Sequence, residues 1–159
     1  MTILVFLQKK VKELNLPKYE YKIKTEANGD YILDEIRKKY VKYTPEEQVR
    51  QNFIKFLIEE KNYPKSLFAV EYKIEINKNT MRCDIVVFNK DFNPNIIIEC
   101  KAPNIKISKE AFNQVINYYY VLKPDYIIVT NGLTHYYVEF NKQENNFKFI
   151  PEIPSFIKK

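Results

Sequence analysis

Apolar and polar residues change their rhythm along the chain, and each change marks an element. From Tyr19 to Thr25 they alternate, which reads as a strand; Asn28-Gly29-Asp30 supplies a turn and Tyr31-Ile32-Leu33 a partner strand. After Thr44 the rhythm becomes helical, with Val49, Phe53, Ile54, Leu57 and Ile58 forming one stripe. Thr44 as N-cap, Pro45 at the first helical position and Glu47 three residues after the cap predict where this helix begins. Asn62-Tyr63-Pro64 predicts where it stops, because proline disfavours helix in the residue before it.

Branched and aromatic runs follow at 67–74 and 83–88, both reading as strands. Asn95-Ile96-Ile97-Ile98-Glu99-Cys100-Lys101 is apolar almost to its end, the pattern of a central strand covered on both faces. Ser108 opens a second helix through Leu122, with Ala111, Phe112, Val115, Ile116, Tyr119 and Leu122 expected to face inward. Strands at 126–130 and 136–140 close the pattern about the turn Asn131-Gly132. Helix, three strands, helix, two strands predicts a layered α/β (α+β) domain. Residues 1–43 read as a basic appendage packed on a core formed by residues 44–159, in a single domain overall.

Composition removes several alternatives. One His and two Cys among 159 residues cannot supply a zinc site of the usual kind or a disulfide framework. With Gly29 and Gly132 as the only glycines, no glycine-rich phosphate loop exists. The opening Met1–Leu7 stretch has neither a basic flank nor a small-residue cleavage site, so it reads as an ordinary first element of a cytoplasmic protein. No apolar run reaches membrane-spanning length. The net charge of +6 favours a polyanionic partner, although mixed signs also suit a soluble surface. Residues 1–43 hold 10 basic and 6 acidic side chains and residues 101–159 hold 8 and 5, whereas 44–100 hold 8 and 9, so the acids concentrate in the centre. Lys9-Lys10, Lys38-Lys39 and Lys158-Lys159 read as surface pairs, Arg50 and Gln51 as a solvated helix face, and His135 as a structural residue.

The chemistry gathers around Asp84 on one strand and Glu99-Cys100-Lys101 at the end of the next. Glu99 and Lys101 lie two apart on a strand and so share a face. Charge placed at the rim of a buried sheet must be paired, ligated or solvated. Two carboxylates from adjacent strands form an oxygen donor set suited to Mg²⁺ or Mn²⁺, and a lysine beside them can orient water or steady charge on a phosphate. A salt-bridged strand end is the alternative reading of the same residues.

Asp84, a 14-residue gap and Glu99-x-Lys101 resemble the PD-(D/E)xK nuclease superfamily. Four ordered blocks resemble more specifically the HsdR N-terminal domain family, related to the R subunit of type I restriction enzymes. They are residues 44–51 (Thr44-Pro45-Glu46-Glu47-Gln48-Val49-Arg50-Gln51), Arg82-Cys83-Asp84-Ile85-Val86-Val87, Ile98-Glu99-Cys100-Lys101-Ala102-Pro103 and Val129-Thr130-Asn131-Gly132. Cys83 stands where the superfamily usually has proline before the acid. The resemblance implies a restriction-endonuclease-like core, a central mixed sheet flanked by helices, and Mg²⁺-dependent hydrolysis of DNA phosphodiester bonds. It implies Asp84 and Glu99 as metal ligands and Lys101 as the residue serving the nucleophilic water. Glu47 is implied as the further helix acid on the metal, with Glu46 the alternative because it lies nearer the centre of the apolar stripe. Gln114 and Tyr118 match a Q-x-x-x-Y element, in which Gln114 contacts DNA or holds the lysine and Tyr118 supports it. DNA is the implied partner, with a homodimer or other restriction-system subunits beyond it. A length of 159 residues leaves no room for a helicase motor, so no translocation is implied.

The expected function is therefore a restriction-type, metal-dependent endonuclease. A non-catalytic nucleic-acid-binding or scaffold module and a DNA-repair nuclease are the alternatives. If 82–88 and 95–101 form a hairpin, Asp84 opposite Glu99 is the simplest register that puts both acids on one face. Val86 then faces Ile97 and Phe88 faces Asn95, with residues 89–94 as the loop. Cys83 and Cys100 meet on the opposite, packed face without a disulfide.

Overall fold

The computed structural model describes residues 13–157. The segments Met1–Leu7, Lys9-Lys10 and Lys158-Lys159 lie outside them. Among the described residues two sheets and two long helices form. A three-stranded antiparallel sheet comes first, of β1 (Ile23–Glu26), β2 (Gly29–Asp34) and β3 (Lys39–Lys42). Helix α1 (Pro45–Glu59) follows, then β4 (Phe68–Ile76), β5 (Asn79–Phe88) and β6 (Pro94–Cys100). Helix α2 (Lys109–Leu122), β7 (Tyr126–Thr130), β8 (His135–Asn141) and β9 (Asn146–Ile150) complete the order. Strands β4 to β9 form one six-stranded sheet in sequence order, antiparallel except for the parallel β6–β7 pair that α2 connects.

Thr44 caps α1 by accepting from the Glu47 backbone N–H at 3.1 Å, with Pro45 at the first turn, as the sequence predicts. The apolar stripe Val49, Phe53, Ile54 and Leu57 packs on Ile85, Val87, Ile96 and Ile98. On the other face, Ala111, Val115 and Tyr118 of α2 pack on Val86, Ile97, Ile127 and Val129. The Ile run of β6 therefore has cover on both sides, which is why it shows no alternation. Burying it places the polar end of β6 at the sheet's rim.

Several sequence expectations are corrected. Strands β3 and β9 were missed: Lys39–Lys42 is short and mostly exposed, and Asn146–Ile150 is mostly exposed although Phe147 and Phe149 alternate along it and touch Tyr119, Phe140, Phe112 and Tyr136. The first strand begins at Ile23 rather than Tyr19, and Gly29 and Asp30 already belong to β2. Strand β5 starts at Asn79, joined to β4 through Asn77 and Lys78, both left-handed as a two-residue hairpin turn requires. On α2 the inward face is rotated: Tyr118 is fully buried and Ile116 is exposed.

The β5–β6 hairpin keeps the expected register for Ile85↔Ile98, Val86↔Ile97 and Val87↔Ile96, and then departs from it at both ends. A bulge at Val87/Phe88 sets Phe88 opposite Pro94 instead of Asn95, so the loop is 89–93. Its Asn89 carboxamide accepts from the Asp91 and Asn93 N–H groups at 2.9 and 3.0 Å, which shortens the turn. At the other end the ladder stops at Ile85↔Ile98. Strand β5 continues along β4, and β6 continues along β7 to Cys100↔Thr130. Asp84 and Glu99 are therefore not a ladder pair but stand at the mouth of a fork.

Candidate functional site

The fork has a backbone cause. On β4, Glu71 sits opposite Asp84 at φ +51, a left-handed value uncommon for a residue other than glycine, and the ladder skips this pair. Strand alternation slips here: Ile85 and Val87 face α1, whereas Cys83 joins Val86 in the cluster under α2. The slip turns the Asp84 side chain into the gap between strands. There its Oδ2 accepts from the Cys100 backbone N–H at 2.7 Å, in place of a ladder bond. The same slip corrects the cysteine expectation. Cys83 is buried beneath α2 and Cys100 beneath α1, so the two thiols lie in separate clusters, both unoxidised.

Glu99 lies one residue beyond the ladder's end and is 3 % exposed. Its Oε1 accepts from Lys101 Nζ at 2.7 Å, while Oε2 is buried with no hydrogen-bond partner. Burial first, and the charge of Asp84 second, push the Glu99 carboxyl up to about 7, against the opposing pull of Lys101. For Lys101 burial works to lower the ammonium pKa, and the bond to Glu99 with the neighbouring charges of Asp84 and Glu46 more than offsets it. Lys101 Nζ also reaches Gln114 Oε1 at 3.4 Å. The Gln114 amide donates to Tyr118 Oη at 2.7 Å, and Tyr118 donates to the Arg82 carbonyl at 2.8 Å. One helical turn on α2 thus ties the lysine end of β6 to β5 beside Asp84.

The first helix meets the fork from the opposite side, and not as a solvated face. Arg50 and Gln51 are buried, which corrects that expectation. Arg50 Nη2 donates to Asp84 Oδ1 at 2.7 Å and to Glu46 Oε1 at 3.4 Å, while Nη1 pairs with Glu47 Oε2. Burial works to lower the Arg50 pKa, but Asp84 and Glu47 raise it overall. Glu47 Oε1 accepts from Arg37 at 3.0 Å and from Gln51 at 2.9 Å, so both its oxygens are engaged away from Glu99. Arg37 continues to Asp34 at the end of β2 at 2.6 Å, fastening the small sheet to α1. Glu46, half-exposed, is the acid that acts on Glu99 and Lys101; burial first and Asp84 second raise its own pKa. Helical phase pointed to Glu46, and the family resemblance to Glu47.

The remaining block, Val129–Gly132, is structural in its contacts. Asn131 holds the loop after β6 through the Ile105 carbonyl at 2.8 Å, and Gly132 has φ +81. A Cβ there would stand 2.8 Å from Leu14 Cδ2 and 3.0 Å from Val49 Cγ2, so no other residue fits without displacement. His135 lies between Thr130 Oγ1 and the Asn15 carbonyl and faces none of the fork residues.

Asp84, Glu99 and Lys101 are thus brought together with Gln114 and Tyr118 behind the lysine, Glu46 beside them and Glu47 turned away. Among the described residues no three His, Cys, Asp or Glu side chains form a ready-made ion cage, and Arg50 lies between Asp84 and Glu46. The donors at the fork are hard oxygens, one of them buried and unpartnered, a set that fits Mg²⁺ or Mn²⁺ and not a softer ion. Among the described residues no helix is long and apolar enough to cross a membrane.

Residues 45–154 match the family model described as the type I restriction enzyme R protein N terminus (HSDR_N). A solved structure described as a fragment of an HsdR subunit of a type I restriction enzyme, from Vibrio vulnificus YJ016, shares the fold at TM-score 0.50 and 18% identity. The likeness covers 69% of this chain and 23% of that one, so the chain spans about a quarter of that chain's length. No curated protein matches.

Proposed function

We propose a function for a chain that belongs to the HSDR_N family, the N terminus of the type I restriction enzyme R protein: it is a Mg²⁺- or Mn²⁺-dependent endonuclease domain acting on DNA. In this reading the six-stranded sheet with α1 and α2 is a restriction-endonuclease-like core spanning 44–159, and residues 1–43 are a basic appendage packed on it. The observation that supports it is the fork, where Asp84 and Glu99 meet beside Lys101 and Glu99 keeps a buried, unpartnered oxygen.

Asp84, Glu99 and Glu46 are the residues that would hold the ion. When bound, it supplies charge neutralisation at the scissile phosphate and a lowered pKa for water. The chain's own residues do the positioning. Lys101, held between Glu99 and Gln114, orients a water for in-line attack and donates to the phosphate oxygens. Tyr118 fixes Gln114, so a neutral amide held from α2 also orients the ammonium. DNA is the substrate, and binding is expected to weaken with salt as lysine and arginine contacts release counterions. A cytoplasmic setting and a homodimer or other restriction-system subunits as partners belong to the same proposal.

The Arg50–Asp84 pair favours a second reading, a non-catalytic DNA-binding or scaffold module, because it already satisfies one acid. Plasmid nicking in Mg²⁺ separates the two. Wild type nicks, whereas Asp84→Asn, Glu99→Gln and Lys101→Ala do not; equal nicking by all four, or none by wild type while duplex still binds, overturns the nuclease reading.

A further inference from the structure

We propose that Arg50 is a built-in counter-cation, which occupies the Asp84 carboxylate in the ion-free protein and yields it when a divalent cation binds; this rests on the metal-site reading above. A single nitrogen, Nη2, lies 2.7 Å from Asp84 and 3.4 Å from Glu46, bridging acids from a strand and a helix as an ion would. Arg50 is 5 % exposed, so this charge is withdrawn from water and the pair is weakly screened. Asp84 is thereby kept from the cost of an unpaired, nearly buried carboxylate while no ion is present.

Two features let the guanidinium give way. Its Nε is buried without a partner, so the present seat leaves one donor unmet. A second seat lies alongside: Nη1 is already held by Glu47, and Glu71 Oε1 stands 4.0 Å from it. Arg50 can turn toward Glu71 without leaving the acidic cluster. Charge balance points the same way. Asp34, Glu46, Glu47, Glu71, Asp84 and Glu99 face Arg37, Arg50, Arg82 and Lys101, so with Glu99 ionised six carboxylates meet four cations and the cluster lacks two positive charges. One divalent cation closes that deficit with Arg50 retained. Arginine release therefore subtracts from the ion's affinity, and the domain takes up Mg²⁺ more weakly than its carboxylates alone would.

The test is calorimetric titration of the full chain with Mg²⁺ and with Mn²⁺, beside thermal melting with and without ion, on wild type, Arg50→Gln, Arg50→Lys and Asp84→Asn. If Asp84 is engaged in about nine-tenths of ion-free molecules, Arg50→Gln binds the ion about ten-fold more tightly, by restoring the competent fraction. The same variant melts lower without ion and recovers most of that loss with it, while Arg50→Lys falls between the two. Asp84→Asn binds weakly or not at all. Should Arg50→Gln fail to fold, the wild-type protein decides: in an ¹⁵N arginine side-chain spectrum the Arg50 signals move as Mg²⁺ is added. A folded Arg50→Gln that binds no more tightly than wild type, or an Arg50 signal that stays put while ion binds, overturns the counter-cation and leaves the nuclease reading standing. Absence of ion binding by wild type and Arg50→Gln alike, with duplex DNA present, overturns both.

Discussion

Asp84 Oδ2 accepts the Cys100 backbone N–H at 2.7 Å, so a side chain completes the sheet where the β5–β6 ladder has ended. The carboxylate consequently has a structural bond besides any role toward an ion. Asp84→Ala removes the acceptor for that N–H and for Arg50 Nη2 together, a loss of about 3 kcal/mol. The expected outcome is a melting temperature lower by about 10 °C for a chain of this size. Asp84→Asn keeps an oxygen for Cys100 and is expected to lose less than half as much. Comparing the two melts by circular dichroism checks this, and equal melting temperatures would refute the structural bond.

Glu99 sets a pH dependence. Its folded-state pKa is raised to about 7 from the ordinary 4.5, by burial and then by Asp84. The folded state therefore holds more protons than the unfolded one between those values, and stability declines as pH rises through them. In ion-free buffer the stabilising contribution is complete below the unfolded value and gone above about 7. Mg²⁺ requires the carboxylate, so the rise in melting temperature on adding ion grows over the same interval. Thermal shifts from pH 5 to 8 test this, and Glu99→Gln is expected to flatten both trends. An ion effect equal at both ends of the range would contradict it.

Glu46 and Glu47 separate by what each loss does. Glu47 links Arg37, Arg50 and Gln51, so Glu47→Ala leaves the buried Arg50 and the partly buried Arg37 short of a partner and costs about 3–5 kcal/mol. Glu46 is half-exposed and its contact to Arg50 is long, so Glu46→Gln leaves the melt nearly unchanged while weakening ion binding. Melting curves beside Mn²⁺ titrations of both variants distinguish the two. An unmoved melt for Glu47→Ala would reverse the assignment.

Tyr118 carries a chain of hydrogen bonds rather than a stack on DNA. Tyr118→Phe keeps the packing and removes one oxygen, leaving the Gln114 amide and the Arg82 carbonyl unpaired at a cost of about 1–3 kcal/mol. Lys101 loses its orientation through Gln114, so the nicking rate falls while duplex affinity is unchanged. Gel-shift and nicking assays on one preparation check this; an equal loss in both would make Tyr118 a DNA contact.

Local pattern determined a good deal of this protein. The Thr44-Pro45 start of α1, its apolar stripe, the doubly covered Ile run of β6 and the central part of the hairpin register all follow from periodicity and caps, which act over a few residues. So does the placing of Glu99 and Lys101 where the buried β6 ends, since charge cannot continue into a packed interior. Tertiary structure decided the rest. The exposed strands β3 and β9 are held by the hydrogen bonds of neighbouring strands; β3 is four residues long with little pattern, and β9 carries only the brief alternation of Phe147 and Phe149. The slip at Glu71 and Asp84 is a backbone event shared by two strands, and it sent the cysteines to separate cores. Arg50 and Gln51 looked solvated because helix periodicity counts only the apolar face, and could not foresee that Asp34 and Arg37 would close over the other. Whether Glu46 or Glu47 meets the fork hinged on the same closure: the arginines engaged Glu47, and left Glu46 to the acids at the end of the sheet.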